Sequence, residues 1–306
     1  MIDFPPRIPV GRWVADIIDW INTNLGFLLD FIKDTGTWVN DAVTSLLLAP
    51  PPLLMIALFA ALAWLVRSWQ LAVGVVVSFL LIMGMDQWTQ AMQTLALVLI
   101  ATLTAVVISV PLGIWAARNN TVSAIVKPVL DLMQTMPAMV YLIPAITFFS
   151  IGAVPGLFST IIFAMPPAVR LTELGIRGVD RETVEAGHSF GATDWMILRG
   201  TQLPLAIPTI MAGINQVIML ALSMAVIAGM VGSDGLGKEV VGALATINIA
   251  RGAEAGLSIV FLAIFLDRFT AALGTPDKFR SSLLGRWKTA REKKARDNQE
   301  GVATAA

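Results

Sequence analysis

Apolar residues gather along this chain in long runs that have the length of membrane helices. A run approaching about 20 residues with few charges reads as a span. Seven such runs stand at about 52–66, 70–85, 91–117, 136–152, 156–171, 205–231 and 256–273. Arg67-Ser68-Trp69 separates the first two, and the third carries Pro111 and Gly113. Pro137, Pro144, Pro166 and Pro167 break the fourth and fifth, and the sixth follows Leu203-Pro204. The pattern predicts an all-α integral membrane fold with about seven transmembrane helices.

Residues 1–50 follow a different rhythm. Trp13, Ile17, Ile21, Leu25, Leu28 and Ile32 recur at helical spacing, with Arg12, Asp16, Asp19, Asp30 and Lys33 between them. This amphipathic pattern predicts a helical segment lying in the membrane interface or packed on the spans. A basic start, a clean apolar stretch and a small-residue cleavage site are all missing, so it does not read as a cleavable leader. The membrane region is expected at 51–274, and 275–306 reads as a charged, solvated tail.

Composition narrows the class. The 306 residues are 56% hydrophobic and 14% charged, against about 25% charged in a soluble domain. A soluble enzyme is excluded. Lys+Arg and Asp+Glu balance at 21 each, so nothing points to nucleic acid. With no Cys and one His, disulfide frameworks, thiol chemistry and Cys/His metal sites drop out. The basic residues also set an orientation, because short loops rich in Lys and Arg stay cytoplasmic. Seven spans put Arg67, Arg118, Lys127, Arg170, Arg177, Arg181, Arg199 and the nine basic residues from Arg268 to Arg296 on one side. Only Arg7, Arg12, Lys33, Lys238 and Arg251 fall on the other. The N-terminus is expected outside and the C-terminus in the cytoplasm.

The longest polar stretch inside the membrane region is 172–204. It reads as helix: Thr183 or Asp180 caps an N-terminus, with Glu182 and Glu185 in the first turn. Gly187 and Gly191, four apart, are expected to share one face and leave a bare strip there. Trp195, Met196 and Leu198 are expected to add apolar contacts beyond it. This is an ordinary connecting helix or a docking surface for another protein.

Glu185-Ala186-Gly187, then Gly191, then Leu203-Pro204 resembles the cytoplasmic loop signature of ABC-importer permeases. That signature is Glu-Ala-Ala, three residues, Gly, nine residues, then Ile-x-Leu-Pro. The spacing agrees, with Gly187 in place of the second Ala and Thr201 in place of Ile. Residues 136–179 and 203–241 are similar to the branch that imports glycine betaine, proline betaine, choline or carnitine, and the resemblance covers roughly 90–270. It implies the type I ABC-importer permease fold and a permease subunit in a prokaryotic plasma membrane. It also implies alternating access by two copies of the chain, two cytoplasmic ATP-binding subunits and an external substrate-binding protein. ATP and magnesium would sit in the partner ATPase, leaving no cofactor here. Glu185, Ala186, Gly187, Gly191, Leu203 and Pro204 would form the ATPase-coupling loop. Another small solute, such as methionine, is the alternative cargo.

Other signals are weaker. Gly232 to Lys238 has the spacing of a phosphate-binding loop, but Glu239 stands where Ser or Thr would bind magnesium. A glycine-rich turn after the sixth span is the expectation. His188, the sole imidazole, reads as a surface contact. Polar groups inside spans are costly and often functional. Tyr141, Asn215, Gln216 and Ser223 are therefore candidates for a translocation pathway, with helix–helix hydrogen bonds as the alternative. Lys127 and Asp131 are expected to pair at i, i+4 spacing. A secondary transporter or channel would need an ion-coupling site or repeated halves, and a membrane enzyme a nucleophile–base pair. The spans display neither.

Overall fold

Lipid offers the backbone no hydrogen-bond partners, so apolar runs satisfy their N–H and C=O groups internally, as helices. The computed structural model describes residues 8–274, and these form helices and turns with no strand among them. In chain order the helices are α1 (Val10–Asn24), α2 (Gly26–Leu48), α3 (Pro52–Val66), α4 (Trp69–Gly84), α5 (Trp88–Arg118) and α6 (Asn120–Thr135). There follow α7 (Leu142–Phe149), α8 (Ala153–Arg177), α9 (Arg181–Ser189), α10 (Asp194–Ile197), α11 (Leu203–Ala228), α12 (Leu236–Thr246) and α13 (Ile249–Gly274). The expected tail from 275 onward, with its basic residues beyond Arg268, lies outside the described residues, as do 1–7.

Four segments, built on α5, α8, α11 and α13, are long and apolar enough to cross a membrane. The count rises to six if each of two bent pairs is one span: α2 with α3, at 97°, and α6 with α7, at 106°. The shorter apolar α4 folds back on α3 across Arg67-Ser68, where the Ser68 hydroxyl accepts the Leu71 N–H at 3.3 Å. Rings of Phe59, Phe79, Trp88 and Phe265 join this hairpin to α5 and α13.

The centre of the bundle is α8, packed between α5 and α11. Small residues permit this: a Cβ on Gly113 would lie 2.7 Å from the Val169 carbonyl oxygen, and one on Gly213 would lie 3.2 Å from Ala168 Cα. Helices in lipid associate through such close approach, because lipid tails remove the usual hydrophobic drive.

Several expected elements differ. The run at 136–152 is not a helix of its own. Pro137 pushes Met136 into extended backbone (φ −69°, ψ 133°), so α6 stops and the chain turns into Ala138–Tyr141 and the short α7. The apolar stretch is shared between α7 and the preceding α6, which carries Lys127 and Asp131 and bends 106° from it. Pro166 and Pro167 break nothing; α8 continues through both to Arg177. There the Ser109 hydroxyl of α5 donates to the Met165 carbonyl at 3.2 Å. Pro144 sits in the first turn of α7, where its missing N–H costs no bond.

Gly232 to Lys238 is more than a turn. Gly232 adopts φ +84°, and the chain then forms α12. A Cβ on Gly237 would overlap the Ala225 carbonyl of α11, so this glycine serves close packing. Lys238 pairs with Asp234 at 2.7 Å, and that hydrogen bond, with the carboxylate's charge, raises the ammonium above its usual pKa.

At the N-terminus two helices replace one segment, parted at Leu25. None of the α1 residues is buried. α2 packs on α5, α7 and α8.

Gly237→Ala is expected to destabilise the protein by about 1–3 kcal/mol through overpacking, while Gly74→Ala, in open space on α4, is neutral or stabilising. Thermal unfolding of the purified protein followed by tryptophan fluorescence checks both.

Candidate functional site

Because α8 runs on to Arg177, the connection expected at 172–204 narrows to 178–202. It forms an elbow of two short helices. Asp180, not Thr183, caps α9, its carboxylate accepting the Glu182 N–H at 3.1 Å. Glu185 and Ala186 are exposed on α9. The helix ends with Gly191 at φ +78°. The Gly191 N–H donates to the His188 carbonyl at 2.8 Å, and the Ala192 N–H to the Gly187 carbonyl at 3.1 Å. This is a left-handed C-terminal cap, where glycine carries no Cβ penalty.

The expected bare strip is therefore absent. Gly191 stands beyond the helix, and Gly187 faces inward, where a Cβ would meet Ile197 at 3.1 Å. The two glycines fold α9 tightly onto α10 instead. Thr193 caps α10 by accepting the Met196 N–H at 3.4 Å. A wide π-type turn, Leu198–Gln202, leads into α11, which Leu203 starts and Pro204 continues in the first turn.

Leu198, expected on the outer surface, is buried with Ile176 and Ala206 and anchors the elbow to α8 and α11. Trp195 (62% exposed), Met196 (60%) and Phe190 (90%) point away from the bundle. The sequence reading passed over Phe190, because a single aromatic between polar neighbours carries no periodic signal.

A second anchor joins the elbow to α5. Arg118 bonds the Asp194 carbonyl at 3.2 Å and approaches its carboxylate at 3.4 Å. His188 Nε2 lies 3.7 Å from the same carboxylate. A cleft of about 200 Å³ remains here, lined by Arg177, Val184, His188 and Gln202 among others.

Next to the elbow, a polar seam locks α6 to α8. Glu173, only 6% exposed, accepts from the Ser123 hydroxyl at 2.7 Å and pairs with Lys127 at 3.3 Å and Arg177 at 3.0 Å. Arg177 also donates to Asn120 Oδ1 and the Ala116 carbonyl, at 2.9 and 2.8 Å. Asp131 pairs with Arg170. Lys127 and Asp131 thus reach across to α8 instead of pairing with each other. A buried carboxylate is tolerated only with partners of this kind.

The four pathway candidates are not brought together. Tyr141 is buried at the α6–α7 bend; its hydroxyl donates to the Met133 carbonyl at 2.5 Å, and its ring meets Phe163 edge-on. Asn215 braces α11 against α13, donating to Asp267 at 2.7 Å and accepting from Thr270 at 2.9 Å. Gln216 and Ser223 lie on an exposed face of α11. The Ser223 hydroxyl donates to the Met219 carbonyl at 3.0 Å.

A helical elbow between two long membrane helices, over a centre of closely packed small residues, can now be set beside known proteins. Residues 109–275 match the family of binding-protein-dependent transport system inner membrane components. The chain belongs to that family. It is 48% identical over 282 residues to the glycine betaine transport system permease protein OpuAB of Bacillus subtilis, covering 92% of this chain and 100% of that protein. It is 49% identical to the glycine betaine/carnitine transport permease protein GbuB of Listeria monocytogenes, with 89% and 98% covered. Identity to the glycine betaine/proline betaine permease ProW of Escherichia coli is 44%, over 92% of this chain and 79% of that one. In fold it matches the inward-facing MetNI methionine ABC transporter, with a TM-score of 0.55 at 20% identity, covering 59% of this chain and 91% of that one. The expected type I importer-permease fold and multi-pass membrane placement hold.

Arg118→Ala is expected to loosen the elbow by about 1 kcal/mol, a factor of about five in opening. Tryptic cleavage after Arg181 and Arg199 should quicken accordingly; an unchanged cleavage rate would mean that the Arg118–Asp194 contact does not hold the elbow.

Proposed function

We propose that this chain is the membrane-spanning subunit of an ATP-driven importer for glycine betaine or a related quaternary-amine compatible solute. The observation that carries the reading is 48% identity to OpuAB across 92% of the chain. The protein is a transport subunit, not an enzyme. Two copies form the pore, two ATP-binding subunits dock from the cytoplasm, and an external binding protein delivers the solute. ATP and magnesium belong to the docked ATPase.

The basic residues support a cytoplasmic elbow. Arg118, Lys127, Arg170, Arg177, Arg181 and Arg199 cluster at the elbow end of the bundle. The Arg67 hairpin tip joins the end of α13 through a 3.2 Å bond to the Arg268 carbonyl. Counting α3, α4, α5, α6–α7, α8, α11 and α13 as crossings leaves the N-terminus outside and the C-terminal tail inside. Residues 1–50 then form an interfacial segment ahead of the permease domain, 51–274, and 275–306 a cytoplasmic tail.

Energy enters at the elbow. Glu185, Ala186, Phe190, Trp195 and Met196 face the ATPase, with Gly187, Gly191, Leu203 and Pro204 setting the elbow's shape. Closure of the ATP-binding subunits pulls on Leu198 and Asp194, and the motion passes to α8, α11 and α5. These helices are packed too closely to deform singly and so rock as a unit, because packed interfaces switch between discrete arrangements. The α11 face bearing Gln216 and Ser223 lines the route between the copies, while Tyr141 and Asn215 brace its walls. Selection of the solute rests with the external binding protein, leaving a permissive path.

The test is ATP hydrolysis in vesicles holding this chain with its ATP-binding subunits. Stimulation is expected only when binding protein and glycine betaine are both present. Uptake without an ATPase would overturn the reading, and stimulation by a methionine-like solute alone would assign the other cargo.

A further inference from the structure

At the end of the bundle opposite the elbow, α2 lies across the N-terminal ends of α5 and α8. Under it is a cavity of about 590 Å³, walled on its far side by residues 151–152, the first residues of α8 and the 232–234 turn. α2 is amphipathic in the reverse sense for a helix resting on a core. Phe27, Phe31, Trp38 and Leu46 face outward and are exposed. Lys33, Asn40 and Thr44, at i, i+7 and i+11, run along the cavity side and are half-buried. An outward apolar face suits a helix bathed in lipid, and with α3 taken as an upright crossing the 97° bend between them would lay α2 along the membrane plane. That is headgroup depth, where tryptophan is enriched.

The cavity wall is polar and carries one unbalanced charge of each sign. Asp234 is neutralised by Lys238 at 2.7 Å. The Lys33 ammonium and the Asp41 carboxylate have no ion-pair partner among the described residues. Ser233, 1% exposed at the wall, has a hydroxyl with no hydrogen-bond partner, and so does Thr44. Both oxygens are sealed from the cavity, so its open polar groups are Lys33, Asn40 and Asp41. The volume lies in the range of small-molecule sites, about 300–1,000 Å³, well beyond a single ion.

We infer that this cavity holds the headgroup of a zwitterionic phospholipid, its phosphate toward Lys33 and its ammonium toward Asp41. Asp41 is exposed and Lys33 half-buried; an anionic headgroup would bring a second negative charge beside Asp41, and a simple cation a second positive charge beside Lys33. A free betaine carries both charges but has no acyl chains to lie along Phe31 and Trp38. The inference rests on the membrane placement of the chain and not on its cargo.

The test uses the full chain with its ATP-binding subunits, taken from nanodiscs of mixed phosphatidylethanolamine and phosphatidylglycerol into detergent, with retained lipid counted by native mass spectrometry. Phosphatidylethanolamine should be retained selectively, and Lys33→Gln and Asp41→Asn should each cut retention about tenfold, or about 1.4 kcal/mol. Asn40→Ala, on the cavity side of α2, should lower retention without lowering the melting temperature, which separates a ligand contact from a structural one. Equal retention of phosphatidylglycerol, or retention untouched by all three substitutions, would overturn the inference. So would displacement of the lipid by excess free glycine betaine, which would make the occupant a soluble zwitterion.

Discussion

Close approach of α8 to α5 and α11 is the constraint on which the rest of the structure depends. Between helices in lipid there is little hydrophobic drive, so contact comes from dispersion and from backbones that come near one another. Gly113, Gly156 and Gly213 each sit where a Cβ would intrude on the neighbouring helix, at 2.7 Å from Val169 O, 2.8 Å from Ala228 Cβ and 3.2 Å from Ala168 Cα. Gly237 does the same for α12 against α11. With no slack at these points, α5, α8 and α11 act as one block, and displacement at one end must appear at the other.

The polar groups are arranged around that block. The elbow hangs from all three helices, through Arg118 on α5, Ile176 on α8 and Ala206 on α11. Glu173 gathers Ser123, Lys127 and Arg177, so α6 follows α8 although the bend at Pro137 parts α6 from α7. Glu173 is the buried member, and it stays compensated only while Lys127 or Arg177 holds it, which ties α6 and α8 together. At the opposite end, the turns at 150–152 and 231–235 carry most of the left-handed backbone angles in the described residues. Rigid transmission between the elbow and the far end is the architecture a coupled importer needs.

Much of this was legible in the sequence, for identifiable reasons. Long apolar runs report directly on lipid, so α3, α4, α5, α8, α11 and α13 appear near their predicted places. The spacing from Glu185 to Pro204 marked the connection because it resembles the cytoplasmic loop signature of ABC-importer permeases. What stayed hidden depends on partners distant in sequence. Lys127 and Asp131 looked like neighbours on one helix until α8 supplied Glu173 and Arg170. α6 looked like a loop because Lys127 and Asp131 interrupt its apolar residues, and their partners lie on α8. Gly191 looked helical because spacing alone cannot show the φ of +78° that ends α9. Asn215 read as a pathway group or a helix–helix hydrogen bond, and the choice needed its partners Asp267 and Thr270, 52 and 55 residues away.

The central claim is that the exposed elbow is the surface through which ATP-driven motion enters. The chain contains no cysteine, so Ala186→Cys places a unique thiol on α9. A photo-crosslinker on that thiol should capture the ATP-binding subunit in the assembled complex, and the same probe on Val240→Cys in α12, at the opposite end, should not. Capture from position 240 and not from 186 would contradict the account.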